Sequence, residues 1–261
     1  TQVLSRVRIP SVAEEDRKRL LRERKRLVKQ RTSLTNSMKG LLRLQGIAGV
    51  NPRSKDFSSR LGALKTGYGE TLGEAARDEL GRLRVLLDLV QDQIDVVESV
   101  RNKMVRQGRL VAGAVSGDCD SDERTSARIA LLTELKGIGP NDATLLVKEV
   151  FYRKFEDRRE LASWTGLAPT PWASGAVERD QGIGRDGPGW IRAMLVQMAW
   201  RWLHHQPDSA LSKWFNDRCG KAQGRIRRVM IVAMARKLVI ALWRYVETGL
   251  VPDGAECAST A

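Results

Sequence analysis

A stretch rich in glycine and proline, residues 169–192, holds the residues best suited to chemistry. It reads PTPWASGAVERDQGIGRDGPGWIR and combines a Ser-Gly pair with three arginines, namely Ser174, Gly175, Arg179, Arg185 and Arg192. A serine hydroxyl can act as a nucleophile when the charge that develops on its target is stabilised. Arginines bind phosphate oxygens in bidentate fashion, whereas the absence of a histidine nearby in the sequence argues against an acyl-transfer triad. The stretch therefore suggests attack on a phosphodiester, and a plain turn between helices is the alternative.

A second candidate phosphate site lies in residues 131–150, LLTELKGIGPNDATLLVKEV. Two apolar helical runs flank Gly137 and Gly139, with Lys136 directly before them. Glycines permit a tight turn that aims backbone N–H groups, at a helix N-terminus, towards a phosphate. This is the form of a helix-hairpin-helix, which reads the nucleic-acid backbone rather than its sequence. A corner that packs only inside the protein is the alternative.

The overall charge favours a polyanionic partner. The 261 residues carry a formal net charge of +14, and residues 1–70 alone carry 17 Lys and Arg against 6 Asp and Glu. Nucleic acid is the commonest partner of so basic a chain. We expect a basic arm at the front to contact phosphates. Its candidate residues are Arg22, Arg24, Lys25, Arg26, Lys29 and Arg31.

Two long helices must position these residues. The first follows the capping residue Ser11 and repeats leucine every seven residues, at Leu20, Leu27, Leu34 and Leu41. The second starts near residue 71 and alternates apolar steps of three and four, at Leu80, Leu83, Leu87, Val90, Ile94, Val97 and Met104, with Arg101 at the one seam position that is not apolar. Both patterns are typical of coiled coils. The two helices could form an antiparallel hairpin or pair with another subunit, and a solvated arm used only for dimerisation is the bland alternative.

The remaining sequence predicts an all-α fold, a long coiled-coil arm followed by a compact helical domain that contains the helix-hairpin-helix. We expect an arm over residues 1–110, a flexible linker over 111–126, a helical domain over 127–250 and a disordered tail over 251–261. All seven tryptophans fall between residues 164 and 243, which places the compact core there. No convincing set of alternating strands is present.

Three widely spaced cysteines and two histidines form no zinc pattern, so no metal site is predicted in this chain. No run of roughly 18 apolar residues suggests a membrane span. We expect no membrane partner, and a cytoplasmic, nucleoid-associated location. Arg225, Arg227 and Arg228, at the start of a helix over 224–246, oppose the helix dipole and favour a phosphate contact instead.

The order of three motifs resembles the C-terminal domain of IS-one-ten-type insertion-sequence transposases, described as bridge-RNA-guided recombinases and similar to the Piv DNA invertase. The motifs are LLTELKGIGPNDATLLVKEV, F...RRELASWTGLAPTPWASG and IGRDGPGWIRAMLVQMAW. Trp164 stands where the family usually has tyrosine, and Arg185 where it has lysine. The segment RIPSVAEEDRKRLLRERKRLVKQRTSLTNSMKGLL also resembles the family's connection between its two catalytic domains.

The resemblance implies that Ser174 is a nucleophile that forms a covalent phosphoserine link to DNA. It also implies a noncoding bridge RNA that specifies the DNA, and a homo-oligomer, dimer or tetramer. Family members carry an N-terminal RuvC-like domain with acidic ligands for a divalent metal such as Mg²⁺, and no such domain is recognisable in this sequence. This chain is expected to lack metal catalysis of its own. A helical module that binds nucleic acid and oligomerises without chemistry is the competing reading, and a coiled-coil scaffold for acidic proteins is a third.

Overall fold

The computed structural model of the chain describes residues 11–112, 121–174, 177–183, 187–220 and 222–258. Its elements follow in the order α1 (Val12–Leu44), α2 (Phe57–Arg60), a 3₁₀ turn (Leu61–Ala63), α3 (Glu74–Ala112), α4 (Ser121–Thr133), α5 (Pro140–Leu145), a π-helical turn (Leu146–Val150), α6 (Arg158–Trp164), β1 (Pro169–Ser174), β2 (Val177–Ile183), α7 (Gly189–His205), α8 (Ala210–Cys219) and α9 (Arg225–Thr248). The fold is all-α, as the sequence predicts, apart from one two-stranded ribbon.

The chain divides into two compact units between Arg101 and Asn102. This division lies inside α3, nine residues before the boundary expected at 110. The expected linker over 111–126 is also too long, because α3 continues to Ala112 and α4 already begins at Ser121. Residues 113–120 lie outside the described part of the chain.

In the first unit, α1 and α3 lie antiparallel to each other within one chain. The Arg24 side chain donates to Glu98 at 2.6 Å and the Arg31 side chain donates to Gln91 at 3.1 Å, which fixes the register of the two helices. A cluster of buried side chains closes the hairpin at its loop end, formed by Met38, Leu42, Ile47, Phe57, Leu61, Leu72, Leu80 and Leu87. Of the two arrangements left open by the sequence, the structure thus contains the intrachain hairpin.

The leucine repeat of α1 lies at the edge of the buried face, and Leu34 and Leu41 pack against the cluster at the loop end. Leu20, Leu27, Leu34 and Leu41 are only partly buried, whereas Thr35, Met38 and Leu42 are buried. On α3 the predicted seam faces inward, because Leu80, Leu87, Ile94 and Val97 are buried. The other three seam residues, Leu83, Val90 and Met104, are partly buried. Arg101, the polar position in that seam, is 7% exposed and lies near Glu98.

The second unit encloses one apolar core. Helix α9 lies at its centre and packs against α7 and α8, with α4 and α6 also in contact with it. Trp202 of α7 is fully buried, and its indole N–H donates to the Ser209 hydroxyl at 2.9 Å. Leu238 and Leu242 of α9 are fully buried as well. This core forms the base from which the candidate site extends.

The C-terminal segment is folded against this unit over the described residues. The Ala210 N–H donates to the Asp253 carbonyl at 3.0 Å, and Leu135 pairs with Cys257 in an isolated β-bridge. The expectation of a disordered tail from residue 251 is therefore wrong up to residue 258. The segment is held in place by backbone pairing, and its small side chains give no sign of this pairing in the sequence.

No helix among the described residues is both long enough and apolar enough to cross a membrane.

Candidate functional site

Ser174 lies at the tip of the β1–β2 ribbon. The strands pair antiparallel, and Ser174 opposite Val177 is the last pair before the turn. Two residues, Gly175 and Ala176, join the strands and lie outside the described part. No strands are predicted from the sequence, so the ribbon corrects that expectation. Its proline and glycine content hides the pairing, with a register irregularity between Pro169 and Pro171.

The ribbon brings one predicted arginine position close to the serine. Trp172 pairs with Arg179 two residues below the tip, so residues 174 and 179 belong to the same face of the ribbon. Such diagonal backbone positions are about 7–8 Å apart. Arg185 and Gly175 lie outside the described residues.

Arg192 lies at the opposite end of the ribbon, in the first turn of α7. Its guanidinium nitrogens come within 3.7 Å and 3.9 Å of where a Cβ would stand on Gly166 and Gly189, respectively. From Pro169 to Ser174 the strand spans about 17 Å at 3.3 Å of rise per residue. The structure therefore places Arg192 at the base of the ribbon and Ser174 at its tip.

The chain enters the ribbon from α6, whose start is fixed by a strong cap. The Asp157 carboxylate accepts from the Arg159 N–H at 2.7 Å and from the Glu160 N–H at 2.8 Å. These two backbone hydrogen bonds lower the pKa of Asp157 below its usual value. At the other end of the helix, Trp164 packs edge-on against Tyr152 with ring centroids 6.5 Å apart, and Arg153 stacks over its ring at 5.4 Å.

The glycine turn between α4 and α5 has the predicted position. Gly137 adopts a left-handed backbone with φ of +85°, and a Cβ there would come within 3.0 Å of the His205 Cβ. Gly139 is the N-cap of α5, and Pro140 is its first residue. Gly137 is thus needed by the turn and packs against the end of α7, whereas Gly139 has an extended backbone with φ of −81° and would have room for a Cβ.

Lys136 is engaged by the C-terminal segment. Its ammonium group forms an ion pair with the Glu256 carboxylate, and its backbone N–H donates to the Glu256 carbonyl at 3.1 Å. The Gln206 side chain ties the two segments together, because its amide nitrogen donates to both the Lys136 and the Glu256 carbonyl groups. The role of Glu256 could not be predicted from the sequence, since nothing in the residue pattern connects position 256 with position 136.

Asp142 and Arg201 join α5 to α7. The Asp142 carboxylate is buried and lies 2.8 Å from the Arg201 guanidinium, which is half-exposed. A buried carboxylate is costly without such a partner. Arg201 therefore stabilises the helix that follows the glycine turn.

The basic residues of α1 fall into an inward and an outward set. Arg24 and Arg31 contact α3. Burial is the largest of the effects that lower the pKa of Arg31. Lys25, Arg26 and Lys29 are exposed and lie within about 100° of one another around the helix. Arg22, also exposed, forms an ion pair with Glu15 at 2.8 Å.

The start of α9 presents further cations. Arg225, Arg227 and Arg228 are all exposed, and the Arg227 guanidinium stacks over the Trp200 ring at 5.1 Å. Lys237, further along α9, stacks over Trp214 at 4.7 Å. Such stacking orders long side chains at the surface.

The described residues contain no group of three or more His, Cys, Asp or Glu arranged to hold a metal ion. The donor set needed for a divalent metal is therefore not found in this part of the chain.

A known protein family matches the region that contains the candidate site. Residues 129–214 match the profile of the family described as "Transposase IS116/IS110/IS902 family". The match contains the glycine turn, α6, the ribbon with Ser174 and α7. The region around the candidate site is therefore similar to a transposase domain of that family.

Two relatives extend the likeness over most of the chain. "Putative transposase y4rJ" of Sinorhizobium fredii is 43% identical over 255 residues, which cover 97% of this chain and 63% of the relative. "Probable family 20 transposase" of Pseudomonas aeruginosa is 27% identical over 231 residues, which cover 87% of this chain and 60% of the relative. The chain thus spans less than two thirds of the length of these two relatives.

Proposed function

We propose that this chain is the serine-bearing part of a DNA transposase that cuts and rejoins DNA through a covalent phosphoserine intermediate. The observation that carries the proposal is the place of Ser174, at the tip of a ribbon inside the region that matches the transposase family. A strand tip lets a hydroxyl reach the backbone of a duplex.

The proposed chemistry is an in-line displacement at phosphorus. The Ser174 hydroxyl oxygen bonds to phosphorus and loses its proton to a general base, while the phosphorus–oxygen bond to one deoxyribose breaks and the leaving oxygen takes up a proton. Because the phosphodiester is exchanged rather than hydrolysed, the reverse attack by a DNA hydroxyl rejoins the strand. Arg179, on the same ribbon face, is the candidate to hold the phosphate oxygens, since a guanidinium stabilises charge that develops there.

Each unit contributes its own basic surfaces to nucleic-acid binding in this proposal. The first unit has the outward cations of α1, and the second has the glycine turn with Lys136 and the start of α9. These contacts would bind phosphates without reading the sequence. In keeping with the family resemblance, a noncoding bridge RNA would specify the DNA, and a RuvC-like domain with a divalent metal such as Mg²⁺ would complete the site.

We further propose that the chain forms a homo-oligomer through exposed apolar side chains of α3. Val85, Leu86, Leu89 and Val96 of α3 are 49–68% exposed, and they recur at helical spacing away from the buried seam. Exposed apolar side chains in a row are a common mark of association between subunits. Sedimentation of the full chain with and without nucleic acid would give the order of the assembly.

Replacement of Ser174 by alanine tests the chemistry. We expect the full-length Ser174→Ala protein to bind DNA and guide RNA as the wild type does, but to form no covalent adduct that survives denaturation. Ser163→Ala is the matched control, because Ser163 is an exposed serine on the helix just before the ribbon. Phosphoserine mapping by mass spectrometry would locate the link. An adduct at wild-type level in Ser174→Ala would rule out Ser174 as the nucleophile. Absence of an adduct in the wild type would favour the competing function, a helical nucleic-acid-binding and oligomerisation module.

A further inference from the structure

The two ends of the ribbon segment touch through the backbones of two glycines. A Cβ built on Gly187 would lie 2.5 Å from the Gly166 nitrogen, 2.7 Å from the Gly166 Cα and 2.8 Å from the Trp164 carbonyl oxygen. All three neighbours are backbone atoms. No side-chain rotation can therefore relieve the clash, and any residue larger than glycine at 187 must push the two strands of chain apart.

The contact also constrains Gly166. It has a left-handed backbone with φ of +67°, and a Cβ there would meet the Gly187 Cα at 3.3 Å. The Gly166 N–H donates to the Ser163 carbonyl at 2.9 Å, and the next residue, Leu167, is buried and donates to the Ala162 carbonyl. The entry side of the junction is therefore anchored to α6.

The exit side of the junction is anchored to α7. Pro188, directly after Gly187, is the N-cap of α7, and its carbonyl accepts from the Ile191 N–H at 2.9 Å. Ile191 is buried in the core. The partly buried Arg192 guanidinium lies beside the same junction. The two ends of the ribbon segment thus meet at one point of the domain. Helices α6 and α7, both anchored in the core, fix that point.

We propose that Gly166 and Gly187 are positioning residues that set the direction of the ribbon and thereby the place of the Ser174 hydroxyl. This inference rests on the proposed function for its chemical consequence, but the junction itself is a feature of the fold. To move a Cβ on Gly187 from 2.5 Å to an ordinary contact beyond 3.4 Å, the backbones must separate by about 1 Å. Because the ribbon is about 17 Å long, any tilt at its base is amplified at its tip.

In-line displacement is sensitive to a shift of this size. A misplacement of about 1 Å can cost about 100-fold in rate when the reacting groups no longer align. Binding of DNA through basic side chains elsewhere depends on charge more than on exact position. The junction is therefore expected to affect the rate of the covalent step far more than the affinity for DNA.

The test compares Gly187→Ala with Gly189→Ala in the full-length protein. Gly189 is the matched control, because a Cβ there meets only the end of the Arg192 side chain at 3.9 Å. Three quantities are measured: the single-turnover rate of adduct formation at saturating DNA, the DNA dissociation constant, and amide hydrogen exchange of β1, β2 and α9. A merely structural role would lower the DNA affinity and speed amide exchange in α9 together with the loss of rate.

We expect Gly187→Ala to lower the adduct rate about 100-fold, to leave the DNA dissociation constant within about threefold, and to speed amide exchange in the ribbon but not in α9. Gly189→Ala is expected to match the wild type in all three. Equal adduct rates and equal ribbon exchange in the two variants would overturn the inference. If the wild type forms no adduct, the proposed chemistry fails, while the exchange measurement still decides whether the glycine junction holds the ribbon.

Gly166→Ala keeps the test decisive if Gly187→Ala fails to fold. Its nearest new contact is milder, at 3.3 Å, although its positive φ disfavours alanine. We expect a smaller loss of adduct rate in the same direction with wild-type helix content by circular dichroism. A wild-type rate and wild-type ribbon exchange in this variant would contradict the inference.

Discussion

The two sets of cations on α1 give the sharpest prediction about nucleic-acid binding. Lys25, Arg26 and Lys29 are exposed, whereas Arg24 and Arg31 contact α3. We expect a Lys25→Ala, Arg26→Ala, Lys29→Ala triple variant to bind DNA or guide RNA with a shallower salt dependence. Replacement of the inward pair by methionine should instead destabilise the helical hairpin.

The size of the effect follows from counterion release. Each phosphate contact on duplex DNA contributes about 0.9 to the slope of log K against log salt. Three lost contacts reduce the slope by about 2.7, so between 50 and 200 mM salt the wild type should lose about 40-fold more affinity than the triple variant. Fluorescence anisotropy over a salt series measures this directly.

The inward pair is the control for the same helix and the same kind of side chain. Arg24→Met removes an ion pair that is about one quarter exposed, and a loss of about 1 kcal/mol of folding stability is expected. Its salt slope should equal that of the wild type. If the inward and outward variants reduce the slope equally, or if the triple variant leaves it unchanged, the assignment of the outward face as the phosphate-binding surface is refuted.

Two further predictions concern the second unit. Burial, together with the charge of Glu134, raises the pKa of Tyr245 to about 12, above its usual value near 10. The stability linked to this shift, on the order of 2 kcal/mol, is present below pH 10 and is lost as the pH rises through 12. Urea unfolding should therefore show a steeper fall of stability from pH 10 to 12 in the wild type, and in a Tyr68→Phe control, than in Tyr245→Phe; equal slopes would contradict the shift. Glu256→Gln removes the carboxylate that pairs with Lys136, so DNA affinity at low salt is expected to rise by up to about fivefold. A fall in affinity would show that this lysine does not meet phosphate.

The elements with regular periodicity could be predicted from the sequence. The buried face of α3 could be predicted because apolar residues at alternating steps of three and four define a single apolar face. The glycine turn between α4 and α5 was also placed correctly. Two glycines and a proline between apolar runs permit few alternatives.

Features decided by backbone pairing could not be predicted in the same way. The β1–β2 ribbon contains prolines at Pro169 and Pro171, which suppress the usual signs of a strand. On α1 the leucine repeat predicts the packed side only approximately, because Thr35 and Met38 are buried while the leucines of the repeat are only partly buried. The Gly166–Gly187 contact joins residues 21 apart, and a single sequence does not show such a pair.

The pairing of the C-terminal segment with the glycine turn also creates a natural place for a spectroscopic label. Cys257 is exposed and pairs with Leu135, next to the turn, while Cys219 is buried. With Cys119 replaced by serine, a maleimide dye should react with one thiol and report on the surroundings of Lys136. A change in its emission on titration with DNA would follow occupancy of the turn in real time, in a protein whose proposed active serine is left untouched.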